Sequence, residues 1–260
     1  MNDARAQSQF NGFGGEAATT SVPADGTWTT INYERSYDEP IVVGTTNTDS
    51  NGDGLVFEAR GVQTDQAQVR ICKSKGSDGD GCVSTATNDE TVGYLVIDKT
   101  AANNSAIDGL EAGSLETSGA TSETVSYSKN FASEPYPFTA VQTVNGRAPV
   151  ETRVTDHSGS DFTVNLCEHE TGNNDNCDSS HTTEKIGWVA VEPGNLPWSE
   201  TGEVGLETAG GSNWTTASFS AAFANAPSVI VENITTGGDQ EVKIDEARNV
   251  STASSEVRFC

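Results

Sequence analysis

Apolar and polar residues alternate over short runs along most of this chain, as they do in half-buried β-strands. Residues 28–35 and 217–223 alternate in this way, and residues 90–98 and 184–192 are mostly apolar runs of strand length. Glycine, proline, serine, threonine and aspartate separate the runs. The pattern predicts an all-β protein of short strands joined by turns.

One stretch of the chain is repeated. The segment from Glu58 to Cys72 returns almost letter for letter from Glu246 to Cys260, and a looser form runs from Thr152 to Cys167. Arg60, Arg153 and Arg248 are 93 and 95 residues apart, and the three cysteines are 95 and 93 apart. A period of this length is the size of a small all-β domain. We therefore predict copy one in residues 1–99, copy two in 100–195 and copy three in 196–260.

Each copy is predicted to be a small antiparallel β-sandwich of about six strands, which makes the fold class a tandem all-β sandwich. Copies one and two end on matching strands, 90–98 and 184–192, that share a Gly-Tyr or Gly-Trp pair. Copy three reaches Cys260 without such a closing strand. Either the copies continue past Cys260, or a strand from another chain completes copy three. The linkers 99–113 and 193–205 are short and polar, which predicts copies strung like beads with limited freedom.

The net charge restricts the partners. The chain has 14 Lys and Arg against 38 Asp and Glu, a formal charge of −24, with the acids spread over its whole length. Such a surface repels nucleic acid and anionic membranes. It suits a solvent of high salt, where the Debye length is about 3 Å at 1 M, although an ordinary acidic secreted protein could have the same charge. The sequence has no apolar stretch of membrane-spanning length and no signal pattern in its first thirty residues.

The cysteine spacing predicts disulfides and an extracellular, oxidising location, at a cell or virion surface. Cys72 and Cys82 are ten residues apart, as are Cys167 and Cys177, and Cys260 would begin a third pair. The alternative is a tetrahedral zinc held by Cys167, His169, Cys177 and His181. Copy one has the same cysteine pair without histidines nearby, which favours the disulfide.

A calcium loop is a second candidate site. Asp49, Asn51 and Asp53 follow the alternating pattern of oxygen ligands in such loops, with Gly52 and Gly54 for the turn. A full loop would have glutamate where Arg60 stands, and the other copies lack the acids. A solvated, turn-forming loop is the alternative, so calcium is the only cofactor that the sequence suggests.

The recurring arginines and tryptophans are candidates for ligand binding. Arg60, Arg153 and Arg248 could each bind hydroxyl or carboxylate groups, or form ion pairs between strands. Three tryptophans fall in predicted strands and could be sugar-stacking platforms, although core positions are the simpler interpretation; they are Trp28, Trp188 and Trp214.

The remaining motifs are weak. Asn103, Asn213, Asn233 and Asn249 begin Asn-x-Ser/Thr glycosylation sequences, at about the number that chance would give in this composition. We find no nucleophile paired with a base and no phosphate-binding glycine loop. The sequence therefore predicts a protein that is not an enzyme.

Together, these features resemble the H-type lectin domain. In copy two the matching residues are Phe131, Pro135, Arg153, Phe162, Val164, Leu166, Trp188 and Ala190; in copy three they are Trp214, Phe219, Phe223, Pro227 and Arg248. Copy two has Val125 where the other copies have tryptophan, and copy one has Tyr94 in place of Trp188. The resemblance implies a six-stranded sandwich that packs in threes and binds sugars such as N-acetylgalactosamine.

The expected function is that of a non-enzymatic extracellular repeat protein of a salt-adapted microbe or its virus. It would build a structural or adhesive surface fibre from copies of itself. The alternative is a glycan-binding lectin, including a viral receptor-binding fibre, that recognises cell-surface glycans through the recurring arginines.

Overall fold

The prediction of an all-β fold is confirmed by a computed structural model, in which 53% of the residues are in strands and 2% in helix. The structure describes residues 8–10, 14–50, 54–73, 82, 88–104, 107–119, 121–146, 148–168, 181–195, 202–205, 213–234 and 244–259. Within these residues no helix has the length and apolar character needed to cross a membrane.

The strands follow one another along the chain in this order. Copy one contains β1 Ser8–Phe10, β2 Gly15–Val22, β3 Thr29–Asn32, β4 Pro40–Thr46, β5 Leu55–Arg60, β6 Gln66–Lys73 and β7 Glu90–Asp98. After the short helix α1 Lys99–Ala102, copy two contains β8 Leu110–Thr117, β9 Glu123–Ser126, β10 Tyr136–Val141, β11 Val150–His157, β12 Asp161–Glu168 and β13 Glu184–Val191. Then come β14 Gly194–Asn195, β15 Glu203–Val204, β16 Thr215–Ser218, β17 Asp245–Arg248 and β18 Ser254–Phe259.

Copies one and two are sandwiches of two sheets in which three strands follow the same order, and in copy one β1 adds an edge strand beside β2. In copy one the sheets are β2-β7-β4 and β3-β6-β5, and in copy two they are β8-β13-β10 and β9-β12-β11. The closing strands β7 and β13 are the middle strands of their sheets. Their mostly apolar sequences are explained by this central position, since β7 and β13 are covered on both faces.

Copy three has the second sheet of this pattern, β16-β18-β17. Its strand β17 pairs in parallel with β4 of copy one at Glu246 and Thr46, which joins the two copies into one seven-stranded sheet. Asn249 and Gly61 follow the equivalent strands, and both adopt the left-handed backbone, with φ of 50° and 55°. The near-identical segments of copies one and three therefore fold in the same way.

The copies do not lie like beads along the chain, so that prediction was wrong. A shared apolar cluster contains Ile41 and Ile97 of copy one together with Leu110, Ala140 and Val189 of copy two. Copies one and two thus bury apolar side chains against each other as well as within their own sandwiches.

The contacts between copies also repeat. The amide side chain of Gln142 in copy two bonds both backbone groups of Val42 in copy one, at 3.0 Å from the N–H and 2.7 Å to the carbonyl. Asn47 takes the place of Gln142 in copy one, and its amide, oriented to satisfy both groups, bonds the carbonyl and N–H of Val229 in copy three at 2.7 and 3.0 Å. Val229 takes the place of Val42. Copy two therefore contacts copy one as copy one contacts copy three.

A third set of contacts joins copy three to copy two, so that the three copies form a closed ring. Thr45 Oγ1 of copy one accepts from the N–H of Val231 in copy three at 3.0 Å. Glu232 holds the position of Thr45 in copy three, and it accepts from the N–H of Thr139 in copy two at 2.7 Å. The three copies thus surround a pseudo-threefold axis, as the protomers of a cyclic trimer would.

Candidate functional site

Two similar clusters lie on the outward face of the second sheet, one in copy one and one in copy three. We call them the Trp28 cluster, made of Trp28, Glu58, Arg60 and Arg70, and the Trp214 cluster, made of Trp214, Glu246, Arg248 and Arg258. In the first, the guanidinium carbons of Arg60 and Arg70 lie 4.0 and 4.5 Å from the centre of the Trp28 ring. In the second, the corresponding distances are 4.0 and 4.3 Å.

Strand register explains why these residues meet. Glu58 on β5 lies opposite Arg70 on β6, and Trp28 directly precedes β3, whose Thr29 lies opposite Val69. Side chains two residues apart on a strand share a face, so Arg60 joins the same surface as Glu58. Trp28 and Trp214 are half-buried here and do not lie in the core. Only Trp188 has the predicted core position, at 6% exposure.

A buried carboxylate anchors each cluster. Arg70 Nε donates to Glu58 at 2.6 Å, and Arg258 Nη2 lies 2.6 Å from Glu246. Glu58 also accepts from the backbone N–H of Val150 in copy two at 3.1 Å. Burial raises the pKa of Glu58, and the charge of Arg70 opposes that rise. One arginine of each pair is therefore committed to holding strands and copies together.

The second arginine differs between the clusters. Arg248 donates to Glu256 at 2.7 Å, and both Arg248 and Arg258 lie 3.6 Å from Asp49 of copy one. Arg60 instead donates from Nε to the neutral amide of Gln68 at 3.0 Å. Within the described residues, its two terminal amino groups make no hydrogen bond.

Charge therefore separates the two sites. The Trp28 cluster has two guanidinium groups and one carboxylate among its described residues, a surplus of one positive charge. With Asp49 and Glu256, which contact its arginines, the Trp214 cluster has two guanidinium groups and three carboxylates. Desolvation and the nearby charge of Arg70 lower the pKa of Arg60. In a chain of charge −24, the four residues of the Trp28 cluster have a positive surplus, and the charge of Glu184 in copy two also acts on Glu58.

Copy two has no such cluster, and the predicted equivalence of Arg153 with Arg60 is wrong. Arg153 lies opposite Asn165, two residue pairs along the strands from the pair that contains Cys167. In copies one and three, this position is held by Glu58 and Glu246. A register shift between Val154 and Asp156 leaves Thr155 outside the pairing. Arg153 is 2% exposed. It is a buried residue and is not available to a ligand at the surface.

The tryptophan correspondence in copy two is also different from the prediction. Val125 lies opposite Phe162 and so takes the place of Ile31 in the core, while the exposed Ser122 stands where Trp28 and Trp214 stand. Copy two thus lacks the tryptophan and both arginines of the cluster together. The loss of the whole set indicates that these residues act as a unit.

A small cavity of about 40 Å³ lies on the pseudo-threefold axis. All three copies line it, with Gly44, Thr139 and Val231 at equivalent positions, and with the acids Glu151, Glu232 and Asp245. Burial raises the pKa of Glu232 and of Asp245, and the proximity of these acids adds to the rise for Asp245. The space is enough for one or two water molecules.

The metal predictions have different outcomes. Asp49 lies beside Arg248 and Arg258, which compete with a cation, while Asn51 and Asp53 lie outside the described residues. Cys167 is in a disulfide, which overturns the zinc alternative because a disulfide sulfur is not a thiolate. The other proposed ligands, His169 and Cys177, lie outside the described residues. Across the described residues, no group of three potential metal ligands comes together.

His181 instead lies between two carboxylates. Its Nδ1 is 3.1 Å from Glu168 and its Nε2 is 3.3 Å from Glu184. Burial lowers the pKa of His181, but its hydrogen bonds with the two glutamates outweigh burial, so the pKa is raised. His181 therefore ties the last strands of copy two together, most strongly when it is protonated.

The structure contains the Cys72–Cys82 disulfide, with an S–S distance of 2.05 Å. Cys177, the predicted partner of Cys167, and Cys260 lie outside the described residues. A disulfide fits a secreted protein.

The glycosylation sequences have different environments. Asn103 uses its side-chain amide to bond the N–H and carbonyl of Ala112. Asn233 is 2% exposed, so the folded chain does not present it to solvent. Asn249 donates to Glu256, and Asn213 is exposed.

Comparisons with known proteins assign no family: no protein-family model, no curated protein and no solved structure matches this chain.

Proposed function

We propose that this protein is a non-enzymatic, extracellular adhesion protein that binds an anionic carbohydrate at the Trp28 cluster. The observation that carries the proposal is the local positive surplus at Arg60, whose terminal amino groups are unbonded within the described residues. A carboxylate or sulfate on a sugar is the group that such a guanidinium fork binds best.

The neighbouring residues complete a plausible sugar site. The bond from Nε of Arg60 to Gln68 fixes the orientation of the guanidinium, so less side-chain freedom is lost when a ligand binds. The Arg60 guanidinium also lies over the half-buried Trp28 ring, 4.0 Å from its centre, and this cation–π contact holds the guanidinium in place. An anionic group bound to Arg60 would therefore bring the rest of the sugar close to an aromatic side chain.

The Trp214 cluster supports the same proposal by contrast. There, Asp49 and Glu256 already occupy the arginines, so an added anion would meet carboxylates. The resemblance to H-type lectins and the disulfide are consistent with an extracellular sugar-binding role. The charge of −24 gives no support to a nucleic-acid partner.

The test is isothermal titration calorimetry with glucuronate, a sulfated disaccharide and neutral N-acetylgalactosamine, at an ionic strength that screens the net charge. We expect the anionic sugars to bind more tightly than the neutral one. Arg60→Gln should weaken anionic binding by about tenfold to a hundredfold, the range for loss of a charged hydrogen bond.

Arg248→Gln is the matched control, because it changes the equivalent arginine of copy three. It should leave binding unchanged. Equal losses from the two substitutions, or no binding of any anionic sugar by the wild-type chain, would reject the proposal.

A second candidate function is a structural fibre module that assembles with copies of itself. The specific observation in its favour is the edge of copy three at residues 228–231, where Val229 and Ile230 are half-buried while their counterparts Val42 and Val43 in copy one are buried. Electron microscopy of concentrated protein in high salt tests this role. Filaments with a repeat the size of the three-copy ring would support it, and single particles at every concentration would contradict it.

A further inference from the structure

The closing strands of copies one and two fill a defined place in each sandwich. Strand β7 lies between β2 and β4, and β13 lies between β8 and β10. Each has a glycine at its centre that also faces the next copy. A Cβ on Gly93 would lie 2.8 Å from the carbonyl oxygen of Val229, and one on Gly187 would lie 2.8 Å from Cγ2 of Ile41. The closing strand therefore completes its own sheet and the contact between copies.

In copy three, the position that a closing strand would take between its two neighbours is bordered on one side by residues 228–231. These residues correspond to 41–44 of β4, yet they belong to no strand in the described structure. Val42 and Val43 are at most 1% exposed, whereas Val229 and Ile230 are only half-buried. An apolar edge that is covered in copy one is thus open in copy three.

The backbone of this edge shows what it can accept. The N–H groups of Val229 and Val231 bond Asn47 and Thr45 of copy one. The N–H groups of Ser228 and Ile230 point the other way, and they make no hydrogen bond within the described residues. In β4 the same two positions are Ile41 and Val43, which lie opposite Ile97 and Leu95 of β7. The backbone N–H groups of Ser228 and Ile230 are therefore oriented to pair with an added strand.

The other border of the place is formed by β15. Glu203 accepts from the N–H and the hydroxyl of Ser220, both at 2.8 Å. Glu111 on β8 accepts from the same two groups of Ser128 in copy two. Strand β15 is therefore the counterpart of β8, the outer neighbour of a closing strand.

We propose that residues 228–231 are an acceptor edge whose occupant is an extended segment with the pattern Glu-x-(Val/Ile)-Gly-(Tyr/Trp)-x-x-(Val/Ile), added as an antiparallel strand. The alternating apolar residues of the segment would cover the core of copy three. The glycine of the segment would face Tyr136 of copy two. Tyr136 is equivalent in position to Ile41 of copy one and Ser228 of copy three. This inference is independent of carbohydrate binding.

The test adds a synthetic peptide with the sequence of residues 184–192 to the 260-residue chain and follows amide hydrogen exchange by NMR. Peptide binding should slow exchange at Ser228 and Ile230 about tenfold or more, because both amides gain hydrogen bonds. Val229 and Val231 are internal controls, since their amides are already bonded. The control peptide carries Gly187→Val, which adds a side chain where the copies meet.

Protection of Ser228 and Ile230 by the first peptide, with little or none from the valine peptide, is the expected result. Absence of protection at millimolar peptide, or equal protection by both peptides, would overturn the proposal. Protection without any peptide, together with a dimer in light scattering, would overturn it in favour of a second copy of this chain.

Discussion

Gln142 is the residue whose removal should weaken the ring most clearly. It is 4% exposed and bonds both the N–H and the carbonyl of Val42, a fully buried residue of another copy. Truncation to alanine leaves the sandwich of copy two intact. It removes the only side chain that satisfies these two backbone groups within the described residues.

The magnitude follows from the cost of buried groups without partners. Each unsatisfied backbone group costs about 1–3 kcal/mol. For the two groups of Val42 we expect Gln142→Ala to lower the free energy of unfolding by about 2–6 kcal/mol. Water entering the space left by the side chain would bring the loss toward the lower end.

Urea unfolding and hydrogen exchange measure this effect together. Gln142→Ala should lower the urea midpoint and speed exchange of the Val42 amide. Gln63→Ala, at an exposed glutamine in copy one, is the matched control and should change stability by less than about 0.5 kcal/mol. If both variants behave alike and the Val42 amide stays protected, the inferred contact between copies is wrong.

Three further predictions concern stability. The Cys72→Ala/Cys82→Ala variant should lose about 2–3 kcal/mol in chemical denaturation, and reduction of the wild type, which also breaks the disulfide of Cys167, should cost more. The raised pKa of His181 means that its contribution is complete below about pH 6.5 and is lost as pH rises through the folded pKa, so His181→Gln should flatten the melting temperature between pH 6 and 9. The raised pKa of Asp245 makes its ionisation cost stability as pH rises, so Asp245→Asn should raise the melting temperature at pH 8 and not near pH 4.

Much of the fold could be predicted from the sequence because its signals are local. Alternation identified the strands, and the repeated segments identified the matching sheets β3-β6-β5 and β16-β18-β17. The cysteine pair of copy one was predicted from its spacing within the repeat. Such features depend on residues that are close in the chain, which is why the strand-level prediction matches the structure.

The site was predicted only in part because register is not local. Arg60 and Arg248 each precede their cysteine by 12 residues, but Arg153 precedes Cys167 by 14. Glu58 precedes Cys72 by the same 14 residues, so the spacing already aligned Arg153 with Glu58, and this signal went unused. The prediction matched the arginines by their order in each copy. It therefore gave Arg153 the position of Arg60, whereas Arg153 holds the position of Glu58.

One feature of the sequence indicated that the copies contact one another. Glycine in the centre of an apolar strand indicates close approach of another chain segment. Gly93 and Gly187 occupy such positions in matching strands, and the structure places Val229 and Ile41 against them. The amide contacts of Gln142 and Asn47 had no signal, because any polar side chain near a strand end gives the same local pattern.

Small-angle X-ray scattering of the 260-residue chain tests the central claim, that the three copies close around one axis. A compact ring predicts a radius of gyration of about 18 Å for a chain of this length. Three sandwiches strung in a row would give a value on the order of 25 Å, with a second maximum in the distance distribution. The lower value is the one that the structure predicts, and the higher value would contradict the ring.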